Sequence, residues 1–145
     1  MDSMKKLLAE KAIEMTARSY VPYSNFRVGA ALLCADGTIY TGCNIENAGL
    51  TATNCAERTA FFKAVSEGKR DFVAIAVAGG RNGHITDYTA PCGVCRQVMA
   101  EFCDPRTFLV HIVRTPDDIK SFTLEELLPL SFGPANLLEP VLYSK

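Results

Sequence analysis

Long apolar runs are missing from this chain. No stretch of the 145 residues approaches the ~18 apolar residues of a membrane span, so no membrane partner is expected. The opening segment MDSMKKLLAEKAIEM breaks its apolar residues with Lys5, Lys6, Glu10, Lys11 and Glu14, and so lacks the apolar centre of a secretory signal. A cytoplasmic, reducing location is expected. Charge of one sign is scarce as well. The formal net charge is -1, the pI is near 6.1, and Lys and Arg form no cluster, which disfavours nucleic acid and favours a small, uncharged substrate. Six cysteines in 145 residues fall well short of the roughly 8–10% that marks a disulfide scaffold. Internal repeats and low-complexity tracts are also absent, which excludes solenoids and linker-like chains.

What remains is an ordinary globular composition, 48% apolar. It fits a single domain over residues 1–145, long enough to bury roughly 68–70% of its unfolded surface. Ser3 is the expected N-cap of an amphipathic helix reaching about Ser19, which buries Leu7, Leu8, Ala12, Met15 and Tyr20 and stops before Pro22. Residues 27–34 and 38–43 read as a hairpin around a two-residue Asp36-Gly37 turn, placing Cys34 opposite Ile39 and Cys43 opposite Ala30. The two cysteines are then about 13 Å apart along the strands, too far for a disulfide. Residues 55–67 read as a helix closed by Gly68, with Ala56, Ala60 and Ala64 on one stripe. Residues 72–78, ending at Gly79-Gly80, and 107–113 are continuous apolar strands of a sheet interior. Pro91 opens a helix over residues 93–102, and Thr123 with Glu126 forms a capping box for a short last helix. This order predicts an α/β fold, a mixed sheet flanked by helices and joined by strand-helix-strand crossovers.

The chemistry lies in Cys55-Ala56-Glu57 and Pro91-Cys92-Gly93-Val94-Cys95. Cys55, Cys92 and Cys95 would give zinc three thiolates and leave one tetrahedral corner for water, as a catalytic zinc requires. Glu57 is placed to reach that water as a proton carrier. Both halves lie in the first turn of a helix, where the positive end favours thiolates. Three thiolates make the site net negative, and Arg58 can draw charge from the sulfurs. A closed structural zinc would need a fourth ligand from Cys34, Cys43, Cys103, His84 or His111, none at a paired spacing. His111, inside an apolar strand, reads better as a satisfied core or surface histidine. A thioredoxin-like reading of Cys92 and Cys95 leaves Cys55 and Glu57 unexplained.

Cys-Ala-Glu followed by Pro-Cys-x-x-Cys resembles the zinc-dependent deaminase signature. Residues 22–31 (PYSNFRVGAA), 42–48 (GCNIENA) and 127–134 (LLPLSFGP) narrow the resemblance to cytidine deaminases of the small-subunit, three-cysteine form, over residues 5–138. It implies a three-layer α/β/α sandwich with a mixed five-stranded sheet, one zinc per subunit on Cys55, Cys92 and Cys95, and Glu57 as acid/base. The activity implied is hydrolytic deamination of cytidine and 2'-deoxycytidine in pyrimidine salvage. By the same resemblance Asn44 and Glu46 hold the ribose 3'-hydroxyl, Ile45 contributes backbone, and the backbone at Ala56 and Cys92 contacts the pyrimidine. Phe26 stacks on the nucleoside, and Phe132 enters a neighbouring subunit's site in a homotetramer. Gly49-Leu50 departs from the family, many of whose members carry an aromatic residue there. Deamination of another amino-heterocycle, an antibiotic or a free base, and a zinc-stabilised binding module are the alternatives.

Overall fold

The computed structural model describes residues 2–138. Helix α1, Ser3–Met15, is capped by Asp2 and not by Ser3: the Asp2 carboxylate accepts the Met4 N–H at 3.3 Å. A carboxylate there satisfies a free backbone donor and also meets the positive helix end. Leu8, Ala9 and Ala12 form the buried stripe, whereas Leu7 and Tyr20, expected inside, are exposed. A single 3-10 turn, Thr16–Arg18, leads out of the helix before Pro22.

Strands β1, Phe26–Cys34, and β2, Ile39–Cys43, form the expected hairpin in a register one residue away from the expected one. Leu33 pairs with Ile39 and Gly29 with Cys43. The loop has three residues, not two. Cys34 N–H donates to Thr38 O at 2.9 Å, Gly37 N–H donates to Cys34 O at 3.0 Å, and Gly37 takes φ 91°. A turn that ends on a left-handed glycine is the usual three-residue hairpin solution, and the Asp36 carboxylate reinforces it by accepting the Thr38 N–H at 2.9 Å. Cys34 and Cys43 are both buried free thiols, as expected.

The sheet is mixed and five-stranded, in the order β2-β1-β3-β4-β5, where β3 is Phe72–Arg81, β4 is Leu109–Thr115 and β5 is Asp118–Thr123. Only β3 and β4 are parallel neighbours. β3 runs past Gly79-Gly80 because Phe26, Arg27 and Val28 of β1 keep pairing with Arg81, Gly80 and Gly79. β5 escaped the residue pattern altogether. Its sequence DIKSFT has no fully buried position, since as an edge strand it needs only backbone pairing with β4.

Alternation along the strands feeds two cores. On one face α1 packs Leu8, Ala9 and Ala12 on Ala31, Ala74, Ala76 and Ala78. On the other, helices α2, Ala56–Ser66, and α3, Gly93–Phe102, cover Leu32, Ile75, Val77 and Val110 with Phe61 and Met99. The short α4, Leu124–Leu127, starts from the predicted Thr123–Glu126 capping box. Three layers, α/β/α, result.

Both crossovers place a helix start at the same end of the sheet. β2 and β3 each run antiparallel to β1 and therefore parallel to each other, so α2 after β2 and α3 after β3 begin beyond the strands' C-terminal ends. α2 can lie close because its buried stripe is the small residues Ala56, Ala60 and Ala64, and Gly42 sits against the backbone of Ala56 and Ala60. A Cβ on Gly42 would sit 2.3 Å from Ala56 O and 2.7 Å from Ala60 N. That contact fixes the depth at which Cys55 and Glu57 enter the site.

Candidate active site

Cys55 is the N-cap of α2 and Cys92 the N-cap of α3, each one position before the first turn in which they were expected; Cys95 does lie in the first turn of α3. Neither cap thiol accepts a capping bond from its own helix's backbone, so both are free to point between the two helix starts. The donor atoms of Cys55, Cys92 and Cys95 all lie within 4.8 Å of one another, and the Cys55 and Cys92 sulfurs are 3.7 Å apart. Two thiolates on a tetrahedral zinc, each about 2.3 Å from the metal, are separated by ~3.8 Å. The donor set and its spacing therefore fit a zinc ion.

No other group of three or more His, Cys, Asp or Glu among the described residues is arranged to hold a metal, and none of the five candidate fourth ligands joins this one. His111 is buried, its Nδ1 2.7 Å from Ser121 Oγ across the β4-β5 pair, and burial lowers its pKa to about 4. It is a satisfied core histidine. The closed structural site therefore has no fourth ligand.

Electrostatics divide the thiols. A hydrogen bond from the Cys95 thiol, aided by Arg58 Nη2 at 3.2 Å from Cys55 Sγ, draws the Cys55 pKa down to about 5. Cys95, as donor to that thiolate, is pushed up. The helix starts favour anions at the same place. Arg58 thus contacts sulfur as expected. Its Nε is buried without a partner, so the guanidinium has turned its hydrogen bonding toward the thiols at the expense of one donor.

Glu57 is 3% exposed, and burial raises its pKa to about 7, with the Cys55 thiolate adding to the rise. It stands outside the mutual 4.8 Å set of sulfurs. The arrangement therefore holds three metal donors beside a carboxyl that shares its proton near neutrality, the condition for general acid/base work.

A cleft of about 180 Å³ opens at these groups, with Val28, Asn44, Asn54, Cys55, Ala56, Glu57, Thr89 and Cys92 on its walls. Asn44 is held rigidly: its Oδ1 accepts Val28 N–H at 2.9 Å and its Nδ2 donates to Phe26 O at 2.8 Å. Phe26, Ile45, Glu46 and Phe132 are not on these walls. Phe26 lies in an adjoining cleft with Tyr88, and Thr89 borders both. Glu46 accepts the Tyr23 and Ser24 N–H groups at 2.9 and 3.1 Å and the Ser24 hydroxyl, whose hydrogen bond holds its pKa below the usual range. Ile45 bridges Tyr20 and Asn54 through its backbone. Phe132 is 58% exposed, its carbonyl accepting from Gln97 Nε2 at 2.7 Å. Asn54 and Thr89 were absent from the sequence reading; adjacency to Cys55 was the one signal for Asn54, and nothing marked Thr89. A larger groove of about 780 Å³ around Phe102, Arg106 and Leu130 contains none of the three clustered thiols and lacks Glu57, so size does not locate the chemistry.

Comparison with known proteins agrees with this geometry. The chain is 51% identical over 134 residues to a cytidine deaminase of Sporosarcina psychrophila, covering 92% of this chain and 94% of that one. It is 51% identical over 128 residues to a cytidine deaminase of Halalkalibacterium halodurans, covering 88% and 93%. Among solved structures, the cytidine deaminase of Burkholderia pseudomallei superposes with a TM-score of 0.80 at 43% identity, covering 91% of this chain and all of that one. The cytidine deaminase of Mycobacterium tuberculosis gives 0.77 at 36%, covering 91% and 99%. Residues 2–111, which carry both thiol-bearing helix starts, match the cytidine and deoxycytidylate deaminase zinc-binding region, and the chain belongs to that family.

Proposed function

We propose that this protein hydrolyses cytidine and 2'-deoxycytidine to uridine or 2'-deoxyuridine and ammonia, in pyrimidine salvage. The observation that carries the reading is Glu57, a buried carboxyl titrating near 7 beside three sulfurs at zinc-ligand spacing. Cys55, Cys92 and Cys95 would hold one zinc ion per subunit, and the ion would supply a Lewis acid able to polarise and acidify a water molecule. Glu57 is placed to take a proton from the attacking water and deliver it to N3 of the cytosine, then to pass the proton of the new C4 hydroxyl to the departing N4. A C4–O bond forms, the C4–N4 bond breaks, and ammonia leaves with the electron pair. Arg58 withdraws charge from Cys55, which keeps three thiolates compatible with an acidic water.

Asn44, locked to the β1 backbone, keeps a free N–H and a free lone pair for a sugar hydroxyl. Glu46, with its pKa lowered by Ser24, stays ionised, accepts a hydroxyl hydrogen and repels a 5'-phosphate. Ile45 contributes backbone, the backbone at Ala56 and Cys92 meets the pyrimidine, and Phe26 stacks on the nucleoside. The chain acts as one catalytic domain over residues 1–145, in the cytoplasm, as a homotetramer in which Phe132 enters a neighbour's cleft. The exposure of Leu130, Phe132 and Leu137 supports that assembly, and no described helix is long and apolar enough to cross a membrane. Ammonia release from cytidine, deoxycytidine, cytosine and dCMP tests the assignment. Turnover of the two nucleosides alone is expected, and inactivity on both would refute it.

A further inference from the structure

We propose that Arg96 is a positioning residue that sets the direction of the Cys92 thiol and ties it to the C-terminal segment carrying Phe132. Cys92 lies between two peptide groups, and Arg96 holds both. Its backbone N–H donates to Cys92 O at 3.0 Å, as any residue at that helical position does. Its side chain makes the second contact, Nε donating to Pro91 O at 2.8 Å. With the carbonyls on either side of the Cys92 Cα fixed, the Cα–Cβ bond has a set direction, and the sulfur is left only its few staggered χ1 positions about it.

Cys92 needs this restraint more than the other thiols. Cys95 is buried at 1% exposure and Cys55 is held by Arg58, whereas Cys92 is exposed at a helix cap whose side chain bonds nothing on its own helix. The guanidinium then reaches across to α4. Its Nη1 donates to Leu127 O at 2.7 Å, four residues after the Thr123 cap and at the start of the segment leading to Phe132, whose own carbonyl is held by the neighbouring Gln97. One planar group with several fixed donors thus bridges the peptide before a metal ligand and the chain end proposed to complete a neighbour's cleft. Lysine carries a single nitrogen and cannot span both carbonyls.

The inference rests on the zinc reading of the three cysteines, and cobalt in place of zinc separates the two. Full-length protein, Arg96→Lys and Arg96→Met would be loaded with Co²⁺ and followed by thiolate-to-cobalt absorption and by release of metal to a chelator. Substitutions in the groups that orient a metal ligand change affinity roughly 10–100-fold, so both variants should bind one cobalt with an altered band and release it at least about tenfold faster. Their kcat should fall more than KM rises, since the sugar contacts are untouched. If Arg96→Met does not fold, Arg96→Lys, which keeps the stem and the charge, carries the test. An unchanged band and release rate in a folded variant would overturn the role of Arg96. Wild-type protein that takes up no cobalt would overturn the metal-centre reading itself.

Discussion

Replacing Glu57 by glutamine should stabilise the metal-free protein at alkaline pH and change it little at acid pH. The carboxyl releases its proton near 4.5 when exposed and near 7 in the fold, chiefly because burial disfavours the charged form. Between those values the folded state keeps a proton that the unfolded state has lost. The associated stability is complete below 4.5, falls as pH rises through 7, and is absent above. At about 1.4 kcal/mol per pH unit, the gap between 4.5 and 7 corresponds to about 3 kcal/mol at pH 8 and under about 1 kcal/mol at pH 5. Glutamine carries no charge at either pH, so the variant should exceed wild type by about those amounts. The Cys55 thiol, drawn down to about 5, shifts stability with the opposite sign, but it is present in both proteins and cancels to first order. Urea denaturation with chelator and reductant at pH 5 and pH 8 measures the difference. A variant no more stable than wild type at pH 8, or equally stabilised at both values, would refute the account of Glu57 as a carboxylate held in a low-dielectric pocket.

With zinc present the same Glu57→Gln variant should retain one metal per chain by elemental analysis yet lose at least ~10²-fold in turnover, because it removes the proposed proton carrier and none of the proposed ligands. Arg58→Gln removes the guanidinium 3.2 Å from Cys55 Sγ; the activity–pH profile should shift its acid limb upward, since less charge is drawn from the sulfurs. Gly42→Ala would drive a methyl to 2.3 Å from Ala56 O, and urea midpoints should fall by the equivalent of about 1–3 kcal/mol as α2 is pushed away.

The metal cluster was legible in the chain because ligand chemistry is local: a thiol two residues before a carboxylate, and a proline opening a helix between two more thiols, announce themselves by type and spacing. The hydrophobic pattern likewise marks α1, α2, α3 and two of the three inner strands, β3 and β4, since each has a face or a length that only burial explains. Where the sequence reading failed, backbone pairing outweighed side-chain pattern. β5 exists because β4 offers it an edge, β3 continues through Gly79-Gly80 because β1 pairs alongside, and the hairpin took the register that suits Gly37's left-handed conformation.

By itself the sequence determined which groups are available for the proposed chemistry, namely three thiols, an acid, and an arginine beside them. The tertiary structure decided their state. Two crossovers that start helices at one sheet end, and a glycine that lets α2 approach, bring sulfurs distant along the chain to within 4.8 Å and bury Glu57 until its pKa nears 7. Proximity and desolvation depend on what the rest of the chain packs around a residue, and no local run of residues carries that information.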